Sequence, residues 1–525
     1  MLKLNIEMTS PTPTQKIDES QLPSGENNPV DIAEHATRSD ILQYGVSPIQ
    51  HLPVELLERI FILCLSHGKA LPLINESTYP PLSLCCVCRS WREVAYGLPG
   101  LWTAVSVDMD VIDLEELNIL PYLFEQWCSR ANHHPLNFRF KSDDRHHKQT
   151  GEMLNTFITS LSRRLHHLDI DSPNFNWLIQ PYFEMYGGVG GLDDKPWSTL
   201  QFPKLKSAII RDDIDVCNDR TTPLFPSAPC LERIRLDRVS FPVDSVHWLI
   251  IPWSQLTHLI LVKLLYSHLW HQVFSMCPNL QHGSFNITRG LPVGNTRRVA
   301  FNHLVELTIA FNYPVNPSIL SIFDFPALMT LKIATDDYYH DKGDYWSDAI
   351  CHRFCEQVAP LRRLSLHGHW PFALLLEAAP HVVELDVSYH FIRRMLLSIL
   401  HDQELGEILL VPDLKVLVVQ LPVQYSELEA NMIADLIKSR MLTMSSWHVG
   451  NRLEKLVAYL DLDSPSEVAC MDMLRAKLQP FVDGGLLLEF KDTTHPWFGR
   501  LDPAITEWHE GMMGITRKGD YVHIR

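Results

Sequence analysis

The sequence predicts an α/β protein, in which a small all-helical N-terminal module precedes an irregular solenoid made of a curved parallel sheet with helices and loops. Three observations predict this architecture. The chain has 525 residues, of which 46% are hydrophobic, and this is more than one compact core needs. Two short apolar helical patterns lie between residues 46 and 106. A phrase of alternating hydrophobic residues then recurs at nearly equal intervals through much of the remaining chain.

The N-terminal segment, residues 1–45, is predicted to be a disordered tail. It carries four prolines among Ser, Thr, Asn and charged residues, and Tyr44 is its only aromatic residue. Such a segment cannot offset the conformational entropy that ordering would remove. The first fifteen residues lack the apolar core of a secretory signal, and no stretch approaches the ~18 apolar residues of a membrane span. We therefore expect a cytoplasmic or nuclear protein that does not enter a membrane.

The net charge indicates which partners the chain can bind, and the cysteine pattern indicates whether it holds disulfides or a metal. The net charge is -17, from 45 basic and 62 acidic side chains, so the long-range field repels nucleic acid and anionic membranes and suits a neutral or basic partner. The 11 cysteines are scattered and are predicted to be reduced thiols. Cys85, Cys86 and Cys88 form a cluster, but no second pair of ligands follows downstream, so we expect small buried hydrophobic residues and no metal.

The N-terminal module begins with SPIQHLPVELLERIFILCL, in which Pro53 suits the first turn of a helix. One apolar stripe is predicted to contain Leu52, Leu56, Leu57, Ile60 and Phe61. A polar loop at residues 66–81 separates this helix from PLSLCCVCRSWREVAYGLPGLW. The residues predicted to share a face there are Leu84, Val87, Cys88, Trp91, Val94 and Ala95. A third short element begins near Pro99. Helices of this size also fit a cap on the rest of the protein.

The literal strings of the module resemble the F-box. The matching positions are Leu52, Pro53, Glu55, Leu56, Leu57, Ile60 and Phe61, then Leu84, Val87, Cys88, Arg89, Trp91 and Arg92, and finally Pro99, Leu101 and Trp102. The order, spacing and residue types of all three parts are similar to that family. The match covers about a tenth of the chain. The loop at residues 66–81 is longer than in a compact F-box, as it is in the expanded F-box families of fungi.

The resemblance implies a binding partner for the module, residues 46–106. An F-box packs against a Skp-family adaptor, which links it to a cullin scaffold and a RING subunit. The residues that the resemblance implies would form or support this interface are Leu52, Pro53, Leu56, Ile60, Phe61, Val87, Cys88, Trp91 and Trp102.

The C-terminal part of the chain contains the recurring phrase, apolar-x-x-apolar-x-apolar, usually after proline. Its first leucines are Leu205, Leu231, Leu256, Leu280, Leu304 and Leu328, and their successive differences are 26, 25, 24, 24 and 24. Further copies start at Pro360, Pro380, Pro412 and Arg452, and a degenerate copy starts at Arg164. A period between 20 and 29 residues predicts a leucine-rich-repeat-like solenoid over residues 135–492. The alternative is a set of unrelated strands in an α/β domain.

Two further segments complete the predicted organisation. Residues 107–134 are predicted to be a helical linker, and residues 493–525 a C-terminal cap or tail. An insertion lengthens the repeat that follows Leu328, and insertions in solenoids map to loops on one face, often the binding face. Its aromatic residues, Tyr338, Tyr339, Tyr345 and Trp346, are candidates for contact with a substrate protein. The alternative is that they fold back onto the neighbouring repeat.

Catalytic patterns are missing from the sequence. It contains no HExxH, GxSxG, GxxxxGK[ST] or protein-kinase motif set. The glycines between residues 187 and 191 have no obvious strand before them or helix after them, and they fit a flexible connector better than a phosphate loop. We therefore expect no cofactor and no enzyme activity of the chain itself.

The resemblance and the repeats together predict the substrate-recognition subunit of an SCF-type (Skp, cullin, F-box) ubiquitin ligase. In this role the F-box binds the adaptor and the solenoid binds a protein substrate. The alternative is a non-catalytic leucine-rich-repeat scaffold whose F-box acts outside a ubiquitin ligase.

Overall fold

The structure of the protein is a computed structural model. It describes residues 52–65, 81–112, 116–143, 147–173, 175, 197–215, 222–225, 227–241, 246–247, 249–288, 299–312, 320, 322–335, 348–367, 372–388, 411–421, 427–442, 452–460 and 465–492. The chain divides into two compact units, residues 1–57 and residues 58–525. Residues 52–57 of the first unit are described, and all but the first two of these lie in a helix.

The N-terminal module contains short helices, as its pattern predicts. They are α1 (Val54–Cys64), α2 (Leu82–Val87), α3 (Arg89–Gly97) and a 3-10 helix (Pro99–Trp102). The shared face predicted from Leu84 to Ala95 is wrong, because Cys88 has an extended backbone (φ -159°, ψ 173°) and separates two helices. Its Sγ accepts a hydrogen bond from the backbone N–H of Trp91 at 3.5 Å and so caps the start of α3.

The sheet is long and its strand pairs are parallel. Fourteen strands of the described residues follow one another in chain order across it. They are β1 (Ala104–Asp108), β2 (Leu136–Lys141), β3 (Leu165–Asp171), β4 (Ser207–Asp215), β6 (Arg233–Ser240), β8 (His258–Tyr266), β9 (His282–Thr288), β11 (Glu306–Asn312), β13 (Thr330–Thr335), β14 (Arg363–His367), β15 (Glu384–Ser388), β16 (Val416–Gln420), β17 (Lys455–Leu460) and β18 (Leu487–Asp492). Two small parallel pairs accompany it, β5 (Thr222–Pro223) with β7 (Leu249–Ile250), and β10 (Val299–Ala300) with β12 (Phe323–Asp324).

Helices occur between several of these strands and make the fold a mixed α/β structure, as predicted. They are α4 (Leu120–Arg130), α5 (His147–Leu161), α6 (Ser267–Met276), α7 (Asp348–Gln357), α8 (Phe372–Ala378), α9 (Glu427–Leu442) and α10 (Pro465–Asp483). None of the helices in the described part of the chain combines the length and the hydropathy that a bilayer crossing requires.

The recurring leucines fix the register of the sheet. Each of the six predicted leucines lies two residues before a strand and is fully buried. The first residues of the strands that follow them are aligned partners, in the order Ser207, Arg233, His258, His282, Glu306 and Thr330. The insertion after Thr335 does not disturb this register, because Thr330 pairs with Arg363 of the next strand. The same alignment continues to Lys455 and Leu487 of the last two strands.

The start of the sheet differs from the prediction. A helical linker was predicted for residues 107–134 and the solenoid from residue 135, whereas the first strand is Ala104–Asp108. Val105 and Val107 are fully buried and the residues between and beside them are half-buried, so this segment has the alternation of a strand. It pairs in parallel with β2. The described remainder of the predicted linker contains two 3-10 helices, Met109–Val111 and Glu116–Asn118, and one α-helix, α4.

Gly283 interrupts a row of aliphatic side chains in the core. Its aligned partners on β8 and β11 are Leu259 and Leu307. A Cβ at Gly283 would lie 2.7 Å from Cε2 of Phe285, which is closer than real Cβ atoms approach other atoms. The ring of Phe285 therefore takes the space that leucine takes in the neighbouring strands.

We predict that Gly283→Leu lowers the free energy of unfolding, although it restores the residue type of both neighbouring strands. Overpacking of this kind costs about 1–3 kcal/mol. The double variant Gly283→Leu, Phe285→Ile copies the pair Leu307 and Ile309 of β11 and is expected to be less destabilised than the sum of the two single variants, by about 1 kcal/mol or more. Chemical denaturation followed by circular dichroism measures both. Additive effects would show that Phe285 does not fill the space beside Gly283.

Candidate functional site

Within the second unit, the inner side of α1 is held by aromatic and aliphatic packing. Phe61 is fully buried, and its ring centroid lies 5.0 Å from that of Trp91 on α3. Cδ1 of Ile62 lies 3.2 Å from the position that a Cβ on Gly100 would occupy, so Ile62 is directed towards the 3-10 helix. Arg92 joins α3 to α2, because its Nε donates to the carbonyl oxygen of Cys85 at 2.8 Å.

Other aliphatic side chains of the same helices remain in contact with solvent. Ile60 is 36% exposed and Leu63 is 67% exposed, and they lie one helical turn apart. Val87, at the end of α2, is 58% exposed. In the first unit, Leu56 is 48% exposed. Helices this short therefore leave unburied several side chains that would each contribute about 1.5–3 kcal/mol if fully buried.

The nine residues predicted for the adaptor interface have different degrees of burial. Pro53, Leu56, Ile60 and Val87 are exposed. Leu52, Cys88 and Trp91 are half-buried. Phe61 and Trp102 are fully buried, so they can support a binding surface but do not form its outer layer. The exposed Leu63 was not among these nine residues, because the predicted stripe of Leu52, Leu56, Leu57, Ile60 and Phe61 ended at Phe61. Its spacing of three residues from Ile60 is the sequence signal that would have added it to the stripe.

Trp102 joins the helical module to the sheet. Its indole Nε1 donates to the carbonyl oxygen of Ala95 on α3 at 2.9 Å, and its own carbonyl oxygen accepts from Nε1 of Trp127 on α4 at 3.0 Å. The two indole rings are 4.9 Å apart in an edge-to-face arrangement. The guanidinium carbon of Arg130 lies 4.7 Å from the Trp102 ring centroid and 4.6 Å from that of Tyr96. The 3-10 helix is thus fixed on both sides immediately before β1.

One face of the sheet carries polar side chains in rows. The first row contains the aligned residues from Asn137 to Lys455, and it includes His167, Ser207, Arg233, His258, His282, Glu306, Arg363 and Glu384. The second row, one residue along, lies on the opposite face. The third row lies two residues further along each strand than the first and includes Arg139, Asp169, Arg235, Lys332 and Glu489. Residues two apart on a strand point to the same side, so both rows belong to one face.

Ion pairs connect most charges of these rows. Arg211 and Arg139 both contact Asp169, whose side chain is fully buried. Glu306 contacts His282 at 3.3 Å and Lys332 at 3.2 Å. Although burial by itself raises the pKa of Glu306, the hydrogen bond from His282 and the contact with Lys332 lower it to about 2. Glu306 is therefore an anion at neutral pH that is already paired within the sheet.

Two histidines of the first row are held neutral. The ring of His258 stacks on that of His282, with centroids 4.3 Å apart and planes 16° from parallel. Burial, together with the nearby charges of His282 and Arg233, lowers the pKa of His258 to about 3. Burial and the charges of His166, Arg233 and Lys206 likewise lower the pKa of His167 to about 3. His167 also makes a short hydrogen bond to Ser207.

Strands β14 and β15 bring together a Ser, a His and an Asp side chain that no sequence motif indicated. Ser365 Oγ lies 2.9 Å from Nε2 of His367 and donates to Oδ2 of Asp386 at 3.0 Å. Nε2 of His367 is also the atom that faces Asp386, at 3.3 Å. A catalytic triad needs the carboxylate on the opposite ring nitrogen, and a nucleophile that substrate can reach. Ser365 and His367 are both buried, so the cluster fits a polar contact within the sheet.

The cysteine cluster has no metal-binding geometry in the described part of the chain. There, no group of three or more His, Cys, Asp or Glu side chains could hold a metal ion. Cys85 is buried and Cys86 is exposed. Burial raises the pKa of the Cys85 thiol, which opposes formation of the thiolate that a metal binds.

The predicted substrate-contact residues Tyr338, Tyr339, Tyr345 and Trp346 lie outside the described residues, as does the segment 493–525.

Comparisons with known proteins identify no family. No family model matches the chain, and no curated protein is significantly similar to it. Among solved structures, the chain is similar to a crystal structure of a protein from Bacteroides fragilis, with 12% identity and a TM-score of 0.27. The match covers 55% of this chain and 66% of that one, slightly less than two thirds of its length. A TM-score this low supports no conclusion about fold or function.

We predict that the neutral histidines make the fold acid-sensitive. In the unfolded chain His258 gains a proton near pH 6.5, whereas in the folded protein it stays neutral down to about pH 3. The unfolded state therefore binds more protons between these values, and stability falls as pH decreases through them. In thermal unfolding followed by circular dichroism, His258→Gln should lose less of its melting temperature between pH 7.5 and pH 5.0 than the parent does. The exposed His303 provides a control, since His303→Gln should lose as much as the parent. An equal loss in all three proteins would contradict the prediction.

Proposed function

We propose that this chain is the substrate-recognition subunit of an SCF-type ubiquitin ligase, and that its helical module binds a Skp-family adaptor. The observation that carries the proposal is the exposure of Ile60, Leu63 and Val87 on helices whose opposite sides are anchored inside the protein. Exposed aliphatic residues on a rigid support are suited to a protein partner, because burying them in an interface recovers the hydrophobic free energy that the fold leaves unused. The resemblance of the sequence strings in residues 46–106 to the F-box indicates that this partner is a Skp-family adaptor.

The proposed interface has an outer and an inner part. In the second unit, Ile60, Leu63 and Val87 contact the adaptor directly, with Cys88 and Trp91 at the edge of the contact. Leu52, Pro53 and Leu56 of the first unit are proposed to contact it as well. The buried residues, Phe61 and Trp102, keep the helices in the conformation that binds, so that little ordering entropy is lost on association.

We also propose that the parallel sheet is the inner layer of an irregular leucine-rich-repeat solenoid, which holds the substrate. The regular register of strands that follow leucines at intervals of 24 to 26 residues supports this interpretation. In this role the chain does no chemistry itself. It raises the effective concentration of a substrate lysine near the ubiquitin-charged enzyme, as any tether between two binding sites does. The buried Trp102 contacts supply stiffness between the module and the first strand.

We predict that Ile60→Glu together with Leu63→Glu weakens adaptor binding by at least about 100-fold, equivalent to about 2.7 kcal/mol. Both changes place a charge in an interface that is proposed to be apolar. Calorimetric titration of a Skp-family adaptor into the full chain measures the affinity, and circular dichroism checks that the helices remain.

A matched control is available on the C-terminal helices. Leu428 is 67% exposed on α9 and Val468 is 37% exposed on α10, close to the values of Leu63 and Ile60. The double variant Leu428→Glu, Val468→Glu should bind the adaptor as the parent does. Binding that survives the changes in α1 would refute the interface. A folded parent that does not bind the adaptor at all would refute the proposed function and favour a scaffold in which the helices are only a cap.

A further inference from the structure

Arg233 differs from the other cations in the polar rows of the sheet. Five arginines and lysines of the first and third rows each contact a carboxylate, namely Arg139, Arg235, Lys332, Arg363 and Lys455. Arg233 lies in the first row between them and has no carboxylate at ion-pairing distance among the described residues. An arginine that is half-buried and has no carboxylate partner is a favourable place for a ligand anion.

Lys206 adds positive potential near Arg233, and the neighbouring strands contribute a hydroxyl and a neutral imidazole. Its aligned partners are Ser207 on β4 and His258 on β8, and neighbouring parallel strands are about 4.8 Å apart. The charge of Arg233 reaches both sides, since it lowers the pKa values of His258 and of His167 two strands away. Lys206 acts on His167 in the same direction. On four adjacent strands, the Arg233 guanidinium thus lies in one row with the hydrogen-bonded pair of His167 and Ser207 on one side and the imidazole of His258 on the other.

We propose that this group of residues, the Arg233 site, binds a single carboxylate or phosphate carried by an extended segment of the captured protein. That the ligand belongs to a captured protein rests on the proposed function, whereas anion binding rests on the sheet alone. Arg233 holds the anion through its planar N–H donors, and the side chains of Ser207 and His258 border it. The guanidinium geometry suits either anion, and the two sources are separated by the probes used below.

The acidic character of the whole chain makes the Arg233 site selective. With a net charge of -17, the chain repels ligands that carry many negative charges. A segment with one anionic group among neutral or basic residues gains the contact with Arg233 and avoids that repulsion. The composition predicts a neutral or basic partner. The Arg233 site adds the requirement that this partner carries one anionic group at a defined position.

The test is calorimetric titration of the full chain with two probes, N-acetyl-phosphoserine amide and N-acetyl-glutamate amide, at constant ionic strength. We expect the parent to bind at least one of them and Arg233→Gln to bind it at least tenfold more weakly. Arg363→Gln is the matched control, because it removes the same charge from the same row where Glu384 already pairs with it at 3.4 Å. The control should bind as the parent does. Preference for the phosphoserine probe would identify a phosphorylated ligand, and preference for the glutamate probe an acidic side chain.

Three results would overturn the Arg233 site: a parent that binds neither probe, an Arg233→Gln variant that binds as well as the parent, or an equal loss in Arg363→Gln. Circular dichroism of each variant checks that the sheet is intact. Titration of the Skp-family adaptor into the same proteins separates this proposal from the proposed function. Adaptor binding without probe binding would refute the Arg233 site alone, and probe binding without adaptor binding would refute the proposed function alone.

Discussion

The register of the parallel sheet is the constraint on which the rest of the second unit depends. A slip of one residue would exchange the two faces of a strand, because successive side chains point to opposite sides. In the six strands β4, β6, β8, β9, β11 and β13, the fully buried leucine two residues before the strand prevents this, since it has to enter the core. Once the register is fixed, the polar positions of neighbouring strands fall on one face in rows. The ion pairs of Asp169 and Glu306 and the stack of His258 on His282 all result from this alignment.

The helices at the start of the second unit join the sheet directly. Strand β1 begins two residues after Trp102, so the backbone that holds the indole also starts the first strand. Asn137 of β2 donates its backbone N–H to the carbonyl oxygen of Thr103 at 2.8 Å, which continues the ladder up to the 3-10 helix. With no free linker between them, a partner bound to α2 or α3 would be held at a defined position relative to the strands.

The sequence was informative where one physical effect dominates. The spacing of Leu205, Leu231 and Leu256 predicts strands in register, because a fully buried leucine leaves little choice of position. Apolar helical patterns predict that short helices form, but not where they break or which side faces out. Cys88 ends one helix through its extended backbone, and Phe61 and Trp102, which the resemblance assigned to forming or supporting an interface, are fully buried. Strand β1 was missed because its five residues follow directly on a helical motif.

The Arg233 site could not be predicted from the sequence, and the reason is physical. Arginines are common on sheet faces, and what distinguishes Arg233 is that no carboxylate of the described residues lies at ion-pairing distance from it. That property depends on residues about 25 positions away, which meet only when Ser207, Arg233 and His258 are brought into one row. The neutral state of His258 has the same origin, because burial and the charge of Arg233 both oppose its protonation. An anion placed beside Arg233 would cancel part of that charge and remove one reason for His258 to remain neutral. Ligand binding and proton uptake by this row are therefore linked, and each favours the other.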